Sequence, residues 1–428
     1  GGTGAKLDGG GLARHLSRAL PAKSRSLRRM PPQIADAGRR LKVRPKVLYL
    51  VTEDWIFCGH RLPTARAARD AGFEVLVATR VAEHGAMIEA EGFRLIPLDW
   101  RRRNFNPLSA LRDILAIAAL YRREAPDIVH HVALKPVVFG GLAAWLAGTA
   151  GVLNALTGLG SAFSGTGRKL AAKAAGWAAR AALGPILRRR NSVVTVENPD
   201  DAAVLTGFGM IPPGSARIIR GSGVDIQRYQ PAPEPDGPFT VGVAARLLRN
   251  KGIPELAEAL RRLRAEGLDV RLLIAGTGDP DSPTNLPESE LAEMRHIPGL
   301  TFLGHVEDVR ELWARCHVAC LPSHREGLPM ALMEAAACGR AIVATDVPGC
   351  REIALAERNA LLVPPRDPAA LAAALRRLAE DADTRRRFAA ESRRLVESDL
   401  AADQVAARVL EIYRELLNDS RADTEKKK

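Results

Sequence analysis

TVGVAARLLRNKGIPELAEALRRLRAEGLDVRLLIAG, residues 240–276, is the stretch that decides the fold. It opens on an apolar run and passes through a loop holding Arg246 and Lys251. A segment with Leu and Ala at helical spacing follows, with Pro254 near its start and Gly267 at its end. A second apolar run, VRLLIAG, comes next. An amphipathic helix between two short apolar strands is a βαβ unit, whose strands pair in parallel. Downstream, GLTFLG, CHVACLP and AIVATD continue the series with helices between them. Continuous apolarity in these strands fits a sheet covered on both faces.

The same rhythm runs upstream. KVLYLVT (46–52), EVLVAT (74–79), RLIPLD, DIVHHVA (127–133) and NSVVTVEN (191–198) read as strands, separated by helices such as LPTARAARDAGF (62–73). YQPAPEPDGPF (229–239) holds four prolines and marks the join between the two series. The expected architecture is α/β, two Rossmann-like doubly wound domains facing a central cleft. Its boundaries are a basic tail over 1–44, a first domain over 45–228, a linker over 229–238 and a second domain over 239–398. A C-terminal helix over 399–418 is expected to pack back towards the first domain, before a charged tail over 419–428. A chain of 428 residues has ample length for two cores.

Charge and cysteine content narrow the function. The net charge is +13. Residues 1–46 hold 12 Lys/Arg against 2 Asp/Glu, whereas residues 226–428 hold 29 against 32. The excess therefore sits in the tail and the first half. That suits an anionic surface approached from one side, and it argues against a nucleic-acid groove through the whole molecule. The five cysteines are scattered, and Cys316 and Cys320 fall in an apolar strand. No zinc site is expected, and a reducing compartment is the simplest reading. No uncharged apolar run reaches the roughly 18 residues of a membrane span. The opening GGTGAKLDGG follows no strand and lacks the ending of a phosphate-binding loop, so it reads as an extension.

Ligands of open parallel sheets gather at the carboxyl ends of the strands. Arg246 and Lys251 stand at such an end, where two cations can neutralise a diphosphate; taken alone, the pair reads sooner as solvated loop charges. In HREGLPMALMEAAACG (324–339), Glu326 precedes a helix and Glu334 lies within it, among Ala, Met and Leu. Gly327 lets backbone approach a ligand, Pro329 suits the first turn, and the helix amino end offers N–H groups to phosphate. A carboxylate inside an apolar helix needs donors, and a ribose diol has two. The alternative is a capping Glu326 with an exposed Glu334. DPD (279–281) has the form of a metal-binding pair but sits in a proline-rich loop, so it is set aside.

The string E-G-L-P-x-x-L-M-E-A-x-A-x-G-x-x-x-V-A-T-D-x-P-G-x-x-E-I, with R-x4-K-G upstream, resembles the retaining GT-B glycosyltransferases of family 4. VTEDWIFCGHRLPTARAARDAGFEV, PDIVHHVALKPVVFGGLAA, VLNALTGLGSAFSG and RGSGVD resemble the branch that builds polysaccharide repeat units on lipid carriers. The likeness spans roughly residues 45–415. It implies that Arg246 and Lys251 contact the diphosphate of a nucleotide-sugar, that Glu334 binds the ribose and that Glu326 faces the sugar. It also implies that Gly327 and Leu328 lie near phosphate or sugar, with His305 and Val306 beside the base. Gly276 and Gly278 lie in a loop longer than the family's usual turn. UDP with a hexose or N-acetylhexosamine is the implied donor. No metal or other cofactor is implied, because fixed cations and helix amides stabilise the leaving diphosphate.

The first half is expected to hold the acceptor, a polyprenyl-diphosphate-linked glycan. The likeness puts a catalytic histidine at the end of DIVHHVA, where His130 and His131 are both candidates facing the cleft. His60, Arg61 and Lys135 are acceptor-side candidates. GRKLAAKAAGWAARAALGPILRRR (167–190) has seven basic residues and no acid. It reads either as an interfacial helix on anionic lipid or as an ordinary solvated face, and RRRNF (101–105) adds to the same charge. The implied location is the cytoplasm, peripherally on the inner face of the membrane. A soluble or glycolipid acceptor, or a silent nucleotide-sugar-binding scaffold, is the alternative.

Overall fold

The computed structural model describes residues 44–100, 107–159, 181, 183–280 and 282–425. The N-terminal tail, RRRNF, Asp281 and most of the basic stretch 167–190 lie outside these residues. Thirteen strands are present among those described: β1 (Lys46–Glu53), β2 (Glu74–Arg80), β3 (Arg94–Pro97), β4 (Ile128–Val132), β5 (Gly151–Leu156), β6 (Ser192–Val196) and β7 (Ala216–Ile218), then β8 (Phe239–Ala244), β9 (Val270–Ala275), β10 (Leu300–Gly304), β11 (Val318–Leu321), β12 (Ala341–Thr345) and β13 (Ala360–Val363). The first sheet runs in the order β3-β2-β1-β4-β5-β6-β7 and the second in the order β10-β9-β8-β11-β12-β13. Every pairing between neighbouring strands is parallel.

The apolar strands follow from what covers them. In β1, Val47, Tyr49 and Val51 enter one core while Leu48 and Leu50 enter the core on the opposite face. In the second half Val241 and Val243 face one way, and Gly242 packs beneath Trp313 and Cys316 on the other. Cys316 and Cys320 are buried core residues. Burial on both faces leaves no polar side to alternate. In both sheets the order reverses beside the first strand, at β1/β4 and β8/β11, which opens a crevice at the carboxyl ends of the strands.

Two chain crossings join the halves. Residues 229–238 are stapled to the second half, where Arg340 donates to the carbonyls of Ala232 (2.9 Å) and Pro233 (3.1 Å) and Arg385 binds Glu234 at 2.7 and 2.9 Å. The return crossing ends in the helix Ala402–Glu425. Val405, Val409, Ile412, Tyr413 and Leu416 recur on one face of that helix and fill the first-half core around Val47 and Tyr49. The crossings touch: Val224 N–H donates to the Leu400 carbonyl at 2.9 Å, and Ala402 N–H to the Val224 carbonyl at 3.0 Å.

Candidate active site

The reacting end of the second half is built by the loop before the helix Met330–Ala337. Pro329 caps that helix with extended backbone and no side-chain hydrogen bond, so its first amides stay open towards the cleft. A Cβ on Gly327 would lie 2.8 Å from Glu197 Oε2 and 3.3 Å from the Thr157 carbonyl, both in the first half. Asn198 Nδ2 donates to the Gly327 carbonyl at 3.1 Å. A residue without a side chain leaves room here for the Glu197 carboxylate and the facing backbone.

A cavity of about 530 Å³ opens at this meeting point. Arg246, Lys251, Glu326, Gly327 and Leu328 line it from the second half, and His60, Arg61 and Lys135 from the first. A second cavity, also about 530 Å³, holds His305, Val306 and Glu334. The two share Ser222, Ala244, Met330 and Ala331, so they form one continuous cleft.

Two cations of the cleft are paired with carboxylates. Lys251 Nζ binds Glu326 Oε1, and Arg246 Nη1 binds Asp279 Oδ2 at 2.6 Å. Asp279 belongs to the DPD sequence, so its carboxylate is committed to an arginine here. Tyr229 donates to Glu334 Oε1 at 3.0 Å, and burial pushes the Glu334 carboxyl up to about 7. Burial, helped by Arg61, holds His60 down to about 4, so its imidazole is neutral at physiological pH. The Lys135 ammonium lies over the rings of Trp100 and Phe139, 4.9 and 5.1 Å from their centroids.

The expectation that His130 and His131 face the cleft is corrected by the structure. They are 1% and 0% exposed. As successive residues of a strand they point to opposite faces of the sheet, and both faces are covered. His131 Nδ1 meets Asn154 Oδ1 at 2.8 Å and its Nε2 meets Tyr121 Oη at 3.0 Å. His130 Nδ1 is 2.7 Å from Tyr413 Oη, whose hydroxyl donates to Tyr49 Oη at 2.8 Å. β4 runs on to Val132, and it is Val132 and Ala133 that line the cavity.

Three residues of the cleft escaped the sequence reading. Tyr229 falls in the proline-rich join, and Asp279 was set aside with its neighbours. Glu197 follows β6 directly and lines the first cavity. Its signal was available: a carboxylate at the carboxyl end of a strand, in VENPDD.

Two facing doubly wound domains, with cations and a helix amino end on one wall of the cleft, define the class of two-domain transferases that act on anionic donors. The family model "Glycosyl transferases group 1" matches residues 238–381, and "Glycosyl transferase 4-like" matches residues 46–189. The chain belongs to this family of GT-B glycosyltransferases. It is 26% identical over 305 residues to the N,N'-diacetylbacillosaminyl-diphospho-undecaprenol alpha-1,3-N-acetylgalactosaminyltransferase of Campylobacter jejuni, a match covering 68% of this chain and 78% of that protein. The capsular polysaccharide biosynthesis glycosyltransferase CapM of Staphylococcus aureus is 24% identical over 182 residues, covering 42% of this chain and 47% of that one. Anabaena HepE, solved with UDP and glucose, superposes with a TM-score of 0.71 at 18% identity, over 86% of this chain and 99% of that chain.

Proposed function

We propose that this glycosyltransferase moves a hexose or N-acetylhexosamine from a UDP-sugar to a polyprenyl-diphosphate-linked acceptor, with retention, in the assembly of a surface polysaccharide. The observation that carries the reading is the convergence of Arg246, Lys251 and the Met330–Ala337 amino end on one cavity, with Glu334 in the adjoining one. Diphosphate fits the cations and helix amides, and a ribose diol fits Glu334. The neighbouring position of His305 and Val306 then suits the base. The UDP in the HepE structure and the undecaprenol-linked acceptor named for the Campylobacter relative support the donor and acceptor classes.

Charge growing on the leaving diphosphate is met by Arg246, Lys251 and backbone amides, which is the preorganised stabilisation that group transfer needs. On this reading a divalent metal is dispensable, and chelator leaves turnover unchanged. Retention follows when the acceptor attacks the face from which diphosphate departs, so no paired-carboxylate hydrolase geometry is involved.

The acceptor brings the enzyme to the cytoplasmic face of the membrane as a peripheral protein. Among the described residues no helix is long and apolar enough to cross a membrane. Leu111, Leu115, Trp145 and Leu146 are exposed on the adjoining helices Pro107–Glu124 and Leu134–Ala147, with Trp145 72% exposed. Arg112, Arg122 and Arg123 are exposed on the first of these helices, an arrangement suited to anionic lipid.

The test offers radiolabelled UDP- and GDP-sugars to the enzyme with bacterial membranes and counts label in the organic-extractable fraction. Label from one donor, absent with Lys251→Ala, supports the proposal. Label entering only soluble acceptors moves the reading to a different acceptor class. Absence of transfer from every donor overturns it in favour of a binding scaffold.

A further inference from the structure

We propose that Glu197 is a catalytic residue of the first half: its carboxylate accepts the hydrogen bond of the acceptor's reacting hydroxyl and takes the proton as the sugar is transferred. The proposal rests on the glycosyl-transfer reading above.

The wall opposite the phosphate cations is the one that must present the acceptor, and Glu197 is the carboxylate on it. It lines the same cavity as Arg246, Lys251 and Glu326. Its Oε2 reaches the face of Gly327 so closely that a methyl group there would meet it at 2.8 Å. The side chain is therefore at the seam where the halves come together, within reach of whatever is held beside Gly327.

A purely structural carboxylate in such a place would be paired. Glu197 accepts no hydrogen bond from any described residue. The positive charge acting on it is that of Arg61, which is 4% exposed and whose Nη1 donates to the Gly221 carbonyl at 3.5 Å. The adjacent Asn198 is fully committed, accepting from Asp201 N–H at 2.8 Å and donating to the Gly327 carbonyl. Asn198 thus anchors the backbone while the neighbouring carboxylate keeps its acceptor capacity for a ligand.

The electrostatics match the task. Burial, with Asp201 and Glu326 nearby, pushes Glu197 up to about 7 against the opposing pull of Arg61. Lys251 binds Glu326 and offsets part of its charge. The enclosed space behind Glu197 is shared with His130, Thr157 and Arg61, and the His130 imidazole there is held neutral by burial. A base that titrates near working pH serves proton transfer best.

The step balances. The acceptor oxygen bonds to the anomeric carbon as the bond from that carbon to the diphosphate oxygen breaks, and the electron pair leaves on the nucleoside diphosphate. The hydroxyl proton goes to Glu197 and from there to solvent.

The experiment compares wild type, Glu197→Gln and Glu197→Asp, using the radiolabelled UDP-sugars and membrane lipid extract described above. It measures transfer at saturating UDP-sugar, where the titration of Glu334 in the donor pocket no longer enters, from pH 5.5 to 9, and UDP binding by calorimetry. Wild-type turnover is expected to rise with pH through a midpoint near 7, the pKa at which the carboxylate forms. Glu197→Gln is expected to lower turnover on the order of 100-fold and abolish that midpoint while UDP affinity stays within about twofold, and Glu197→Asp recovers part of the loss. Wild-type turnover in Glu197→Gln, or a retained midpoint, overturns the role. So does a loss that comes with collapsed UDP binding and a lowered Tm, which would make Glu197 structural. A wild-type enzyme that binds UDP but transfers no sugar defeats the transfer reading itself, a result distinct from a selective defect in the variants.

Discussion

The Tyr229 hydroxyl donates to Glu334 Oε1 at 3.0 Å, tying the start of the interdomain join to the middle of the helix that borders the cavity of His305 and Val306. The bond leaves the second carboxylate oxygen for a ligand and fixes the side chain that would receive it.

Glu334 makes stability depend on pH in a direction opposite to that of a salt-bridged carboxylate. Its folded pKa, about 7, lies above the ordinary 4.5, so the folded chain binds the proton more tightly than the unfolded chain. Its contribution therefore favours folding at low pH and is lost as pH rises from about 4.5 through 7. Glu334→Gln is expected to melt at or above the wild-type temperature at pH 8, with a gain of up to about 3 kcal/mol, and to show no gain at pH 4.5. UDP affinity in the same variant falls about tenfold or more, the cost of losing a charged acceptor. Paired melts and calorimetry check this, and unchanged UDP affinity would remove Glu334 from the site.

Arg246 is held by Asp279 at 2.6 Å. An incoming diphosphate must compete with that carboxylate, so Asp279→Asn is expected to raise donor affinity by about threefold, a modest gain for an exposed pair. Arg246→Ala is expected to cut turnover on the order of 100-fold. Steady-state kinetics on both variants decide the matter; weaker donor binding in Asp279→Asn would show that the pair preorganises the site instead.

Gly327→Ala places a methyl group 2.8 Å from Glu197 Oε2 and 3.3 Å from the Thr157 carbonyl, so the Glu197 carboxylate must swing aside and the facing backbone must give slightly. Each half keeps its own core, and the Tm is expected to change little while turnover falls at least about tenfold through misplacement of the reacting groups. Glu197→Ala/Gly327→Ala relieves the contact without restoring activity. Full activity in Gly327→Ala would mean that the position of the Glu197 carboxylate against Gly327 does not matter to the reaction.

His131 belongs to the core, and its variants test that assignment. His131→Ala strands the Asn154 and Tyr121 groups it now satisfies, at a cost of about 2–3 kcal/mol. Burial holds the imidazole down to about 4, so the neutral ring stabilises the fold above the ordinary 6.5, and that contribution is lost as pH falls towards 4. Wild type should lose stability across that interval more steeply than His131→Ala. A turnover defect with an unchanged Tm would return the residue to the active site.

The fold was legible because strands buried on both faces are written as unbroken apolar runs, and helices between them keep a one-sided pattern. KVLYLVT and TVGVAA each announce their sheets. The wall with Arg246, Lys251 and Glu326 was legible for a related reason, since strand ends and a helix start carry it locally. His130 and His131 were misplaced because a pattern read along one strand does not reveal what covers its faces. Here one cover comes from Tyr413, 283 residues away. Tyr229 was missed because its partner Glu334 lies 105 residues away, and Glu197 because what it faces, Gly327, lies across the cleft, where sequence separation hides proximity.

The contact of Val224 with Leu400 and Ala402 gives the molecule a spine. Both covalent passages between halves run through it, so a motion that preserves it is a turn about that line, as covers turn about a binding. Gly223, where a Cβ would meet Ala402 at 2.6 Å, keeps the passages pressed together. Gly223, Val224 and Asp225 border the pocket of Glu334, while the chamber of Lys251 and Glu197 begins at the adjacent Gly221 and Ser222. Points near an axis travel little and remote ones travel far. On the proposed reading of the two cavities, a turn about that line would open the chamber while disturbing the Glu334 pocket less, so that a glycan could exchange with the nucleotide in place.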